Sequence, residues 1–158
     1  HGFKVGIGVM AIAQLHEFIL NTPVEKARTM AKAPLTREER IAEIDQLLIK
    51  GCYGNSIAGL ALEKTPFNED MQARRELIFS HWEKLQERIK TKHIAVENLR
   101  MMLKNDQAPT LFAEIGLSEE QFFHGIKTAH LIRKRYTSLD MLYEAGLLDA
   151  ALQTIKMS

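Results

Sequence analysis

Helix punctuation recurs along the whole chain, while alternating β-branched runs bounded by turn residues are absent. That contrast restricts the fold more than any other feature, and it predicts an all-α helical bundle. Thr36 with Glu39, and Ser118 with Gln121, have the three-residue spacing of reciprocal N-terminal caps. Pro23, Pro34, Pro66 and Pro109 interrupt helical pattern, and Gly51 and Gly146 stand where helices close. The spacing predicts helices over 3–21, 24–32, 36–51 and 53–62, and one long helix from Asn68 to Ile89 or beyond. Further helices are expected over 93–104, from Ser118 to about Tyr136, over 138–145 and over 148–156, with 105–110 as a loop.

Apolar stripes give each helix an inner face. Ile41, Ile44, Leu47 and Leu48 mark one, and Leu77, Ile78, Trp82, Leu85 and Ile89 a second. Ile94, Leu99, Met102 and Leu103 mark a third. With 158 residues and no repeat or low-complexity tract, residues 1–158 are expected to form a single domain without a linker. The apolar run from Val5 to Ala13 imitates a signal peptide. It continues as a helix through Gln14, Glu17 and Asn21, and by itself falls short of the ~18 residues of a membrane span.

Charge narrows the partners. Twenty-one Lys and Arg nearly balance twenty Asp and Glu, so a net +1 exerts no general pull on nucleic acid or an anionic membrane. A single cysteine, Cys52, precludes an intrachain disulfide and suits a reducing, cytoplasmic setting. Cys52 itself is expected to be a buried small hydrophobe.

Few residues suggest chemistry. His16 precedes Glu17, but no histidine follows four residues on, so the zinc-protease pattern is absent. His81 is expected to pack or face solvent. His93 and Glu97 read as a surface pair, and His124 and His130 as two faces of one helix. Glu38-Glu39, Glu69-Asp70 and Glu119-Glu120 fall in first helical turns, where they complement the helix dipole. Arg133-Lys134-Arg135 forms the one basic cluster; it could be a nucleic-acid strip, but with net charge near zero a solvated helix end, where cations complement the dipole, is the expected reading. Gly6 and Gly8 sit inside the first helix at a cost of about 1 kcal/mol each against Ala. They suggest close approach by another backbone or a ligand, or tight helix packing.

Two segments carry a resemblance. The opening HGFKVGIG, from His1 to Gly8, looks like the second metal-binding histidine motif of the dehydroquinate synthase-like superfamily, in the form of its bacterial glycerol-1-phosphate dehydrogenase branch. Several other branches carry Glu where Phe3 stands. The run HLIRKRYTSLDMLYEAGLL, from His130 to Leu148, resembles that branch's pattern I-R-x-R-Y-T-x-L-D-x-L-x-x-x-G-L-L. Pro109 and the segment 115–118 are similar to the loop before it.

The resemblance implies the C-terminal helical domain of a two-domain enzyme. In that family the N-terminal α/β domain binds NAD(P), and the cleft between domains holds a divalent metal (zinc, nickel or iron) on one Asp and two His. Of those ligands only His1 has a counterpart here; the others would lie upstream, as would the cofactor domain. Lys4 is implied as a substrate-binding residue near the phosphate of a triose. The reaction implied is interconversion of dihydroxyacetone phosphate and sn-glycerol 1-phosphate, and a homodimer is possible by resemblance. The chain alone is expected to bind neither metal nor NAD(P) tightly, and neither nucleic acid nor membrane. The competing expectations are a free-standing helical interaction module and a nucleic-acid-binding protein using Arg133 to Arg135.

Overall fold

The computed structural model describes residues 2–53 and 55–156, and among them the regular structure is entirely helical. In chain order the helices are α1 Gly2–Leu20, α2 Val24–Met30, α3 Arg37–Lys50, α4 Asn55–Lys64, α5 Asn68–Ser80, α6 Trp82–Lys90, α7 Val96–Asn105, α8 Glu119–Ala129, α9 Ser138–Glu144 and α10 Leu148–Leu152. A 3-10 turn, Phe112–Ile115, precedes α8. The reciprocal caps Thr36–Glu39 and Ser118–Gln121 form as the spacing predicts. The three acidic pairs all fall in first turns.

α1 is the axis of the fold. It packs against α6, α7, α10 and the 3-10 turn, so it must be apolar on several sides. Ile7, Met10, Ala11, Leu15 and Ile19 are fully buried in the main core, together with Trp82, Leu142 and Leu147. The Trp82 indole N–H donates to the Thr22 carbonyl at 2.8 Å, which fixes the end of α1 against α6. At 19 residues with mean hydropathy 1.4, α1 exceeds the run read from the sequence and has the length and composition to cross a membrane. Here its inner face is core. A smaller cluster of Ile44, Leu48, Ala61 and Leu131 joins α3 to α4.

Several sequence expectations change. The long helix over 68–89 breaks at His81, whose backbone (φ −112°, ψ 14°) leaves helical geometry. The break shifts the phase of the stripe, so Leu77 is 59% exposed while Ile78 and Trp82 are buried. In α7 and before it, Ile94 and Met102 are exposed rather than inward, with Leu99 and Leu103 half-buried. Cys52 is exposed, not buried, because it takes the left-handed conformation (φ 56°) that turns the chain after α3. The final helix stops at Leu152 and not at Lys156.

The largest departure is at α8, which ends at Ala129 and not near Tyr136. The Lys64 ammonium explains it. Lys64 Nζ donates to the carbonyls of His130, Arg133 and Arg135 at 2.6, 2.9 and 3.0 Å. It also pairs with Asp140 Oδ1 at 2.7 Å, both side chains being nearly buried. The loop over 130–137 is therefore wrapped round a cation, and its carbonyls cannot serve a helix. Asp140 Oδ2 in turn accepts from the backbone N–H and hydroxyl of Thr137, capping α9. Tyr136 donates to the Glu144 carboxylate at 2.8 Å, and burial, then the Glu144 charge, pushes the phenol upward. Gly146 closes α9 at φ 74°, where a side chain would meet the Lys32 carbonyl.

A polar layer lies beside this loop. Arg40 is almost fully buried, 3.7 Å above the Tyr143 ring and paired with Glu43 at 2.6 Å. Arg40 Nη2 lies 3.3 Å from His130 Nε2; a guanidinium can only donate, so that nitrogen accepts and the imidazole is neutral. Burial first, then the Arg40 charge, push His130 down to about 4.

Two outcomes are expected. His130 binds protons more readily when unfolded, so its contribution to stability is complete above pH 6.5 and is lost as pH falls toward 4. Urea denaturation at pH 7.5 and 4.5 should show a smaller stability difference in His130→Gln than in the parent. Lys64→Met should cost on the order of 3–5 kcal/mol in the same measurement. Asp140→Asn should not rescue it, because three backbone carbonyls also lose their donor.

Candidate functional site

The N-terminal half of α1 borders a ligand-sized opening in the structure. His1, the implied metal ligand, lies outside the described residues. Lys4 is exposed on the first turns of α1 and lines the opening. Gly6 is explained by packing: a Cβ there would come within 3.2 Å of Leu103. Gly8 is not, since nothing lies within 4 Å of the corresponding position.

The opening is a cleft of about 830 Å³ between α1, the 91–95 connection, the 3-10 turn and α8. Its walls are chiefly aliphatic, with Ile7, Ile12, Leu99, Leu117 and Ile126 among them. A ligand-sized, mostly apolar concavity with a few polar groups has the anatomy of a small-molecule site.

Two histidines enter this cleft, both read as structural from sequence. His16 Nε2 lies 2.8 Å from Ser138 Oγ, which ties α1 to the start of α9. His93 Nε2 stands 3.4 Å from Glu17 Oε1, so the expected His93–Glu97 pair does not form, and Glu97 turns to Arg100. Glu17 Oε1 also accepts from the Val96 N–H, which opens α7. The two rings meet edge-on with centroids 6.3 Å apart. Burial, then the neighbouring His93, hold His16 below the ordinary histidine value, which favours the neutral ring.

This arrangement limits the chemistry. His16 has a hydroxyl partner, but Glu17 serves His93 and the Val96 N–H, so among the described residues no carboxylate completes an acid–base–nucleophile relay at His16. Among the described residues no three His, Cys, Asp or Glu side chains gather as a metal site. His81 is exposed and bonded to its own turn, and His130 belongs to the Arg40 layer. His124 has a buried Nε2 without a hydrogen-bond partner among the described residues, away from the cleft. The signal that could have drawn out His16 is its spacing of eight from Gly8 and four from Ile12, which places all three on one side of α1. Nothing local marks His93, which arrives from a connection distant in sequence.

Histidine titration followed by two-dimensional NMR should place His16 below 6.5. His93→Gln should raise it part of the way back, because the charge is removed and the burial remains. An unchanged His16 would mean that the two rings do not interact. Comparison with family models, curated proteins and solved structures finds no match to this chain.

Proposed function

We propose that this chain is the C-terminal helical domain of a metal-dependent, NAD(P)-linked oxidoreductase that interconverts dihydroxyacetone phosphate and sn-glycerol 1-phosphate. The observation that carries the reading is the position of α1: the helix after His1 presents Lys4 and the open Gly8 to a ligand-sized cleft. The C-terminal resemblance gains support from packing. The Arg133 and Arg135 carbonyls accept from Lys64, Tyr136 donates to Glu144, Thr137 and Asp140 cap α9, and Gly146 closes it.

In this reading His1 contributes one imidazole to a divalent metal, whose other ligands come from outside the described residues. The metal, when bound, supplies Lewis-acid stabilisation of charge on the substrate oxygen. Lys4 draws the substrate phosphate toward the cleft, and Gly8 leaves room beside it. Nicotinamide binding falls to a partner domain, because the described residues contain no strand-turn-helix to cradle a pyrophosphate. A homodimer and a cytoplasmic location belong to the same proposal. The exposed Phe3, Val5 and Val9 favour a second reading, a helical interaction module docking through α1.

The test is His1→Ala in the protein extended by whatever coding sequence precedes this residue. Metal retention should be lost and kcat should fall by orders of magnitude, with NADH binding preserved. Near-normal turnover with metal retained would remove the reading. An extended protein with no NADH-dependent reduction of dihydroxyacetone phosphate would favour the interaction module.

A further inference from the structure

We propose that the cleft beside α1 binds a single-chain aliphatic anion, of the class of a medium-chain fatty carboxylate. The inference gives the cleft a different occupant from the triose phosphate of the dehydrogenase reading, sharing Lys4 and Gly8 with it, and does not depend on that reading. Neither metal nor nicotinamide takes part.

The walls set the tail. Beyond the aliphatic residues already named, Val5, Val9 and Ile94 stand at the opening and are about half exposed. Among the described residues Phe122 is the one aromatic ring in the lining, besides the two imidazoles, and Gln121 the one amide. A surface of that kind holds methylenes and offers almost nothing to read a heterocycle.

The rim sets the head. Lys4, Lys92 and Arg133 line the same cleft from three separate parts of the chain. None has an ion pair among the described residues. Among the described residues no carboxylate lines the cleft. The nearby Glu17 is held by His93 and by the Val96 N–H. A second copy of the chain does not complement this rim. A two-fold contact through the cleft would set the same cations against each other.

The glycines are the second observation. Gly8 on α1 and Gly125 on α8 both line the cleft, and nothing lies within 4 Å of either Cβ position. Their absent side chains keep the space open. Gly59 on α4 is equally open, so an open glycine alone marks no site; these two differ because both line a cleft that three cations also line.

The experiment is calorimetric titration of the whole chain with dodecanoate below its micelle concentration. Saturable binding is expected, weakening about fourfold for each methylene removed. Dodecyltrimethylammonium should bind at least tenfold more weakly. Lys92→Glu and Arg133→Glu should each weaken dodecanoate several-fold. Gly8→Leu and Gly125→Leu should abolish binding while melting at or above the parent temperature, since both remove a helix-interior glycine. The proposal is overturned by any of four results. These are no dodecanoate binding by the folded parent, equal affinity for the cationic amphiphile, unchanged binding in both folded leucine variants, or association only with phosphatidylglycerol vesicles. A dimer that buries the cleft and excludes dodecanoate would overturn it as well.

Discussion

The C-terminal third of this structure depends on one ammonium group. Lys64 has three protons and meets four acceptors: three backbone carbonyls and the Asp140 carboxylate. Taking a charge out of water costs several kcal/mol unless its new partners replace the hydration shell. Here the loop over 130–137 provides that shell. The same contacts end α8, orient Asp140 to cap α9, and thereby set where Gly146 turns the chain into α10. Removing the lysine would leave the buried Asp140 carboxylate and three carbonyls without their shared donor.

α1 faces a different constraint, because it is both core and border. Helices that are apolar on all sides are normally enclosed on all sides. α1 is enclosed by α6, α7 and α10 over much of its surface, yet Phe3, Val5 and Val9 remain about half exposed near its start. The apolar excess is thus confined to the end that borders the cleft. His16 marks the other end of that border, where a neutral imidazole and Ser138 substitute for water.

Much of the helical framework was legible because capping chemistry is local. Thr36–Glu39, Ser118–Gln121 and Gly146 each act within a few residues, and each does what its spacing predicts. The breaks at His81 and after Ala129 were not legible. Neither carries a proline or glycine, and the second is imposed by Lys64 from 66 or more residues away. Cys52 misled because composition says nothing of a residue's φ. The site was legible only along α1: Lys4 and the glycines could be placed, while His93, Lys92 and Arg133 reach the cleft through tertiary structure alone. His93 looked like a partner for Glu97 because both lie four residues apart, but the helix begins only at Val96 and so leaves it free to meet Glu17.

The glycines separate what the chain requires for itself from what it leaves open. Gly146 is fixed by a left-handed backbone and by the Lys32 carbonyl, and Gly6 by the Leu103 side chain. Both are answered from within the fold. Gly8 and Gly125 lie in helix interiors, where each is about 1 kcal/mol worse than alanine, and no neighbour among the described residues crowds either position. Their effect is therefore on volume outside the helices rather than on packing between them. Filling those positions would narrow an aliphatic cleft that three cations without ion pairs among the described residues also line.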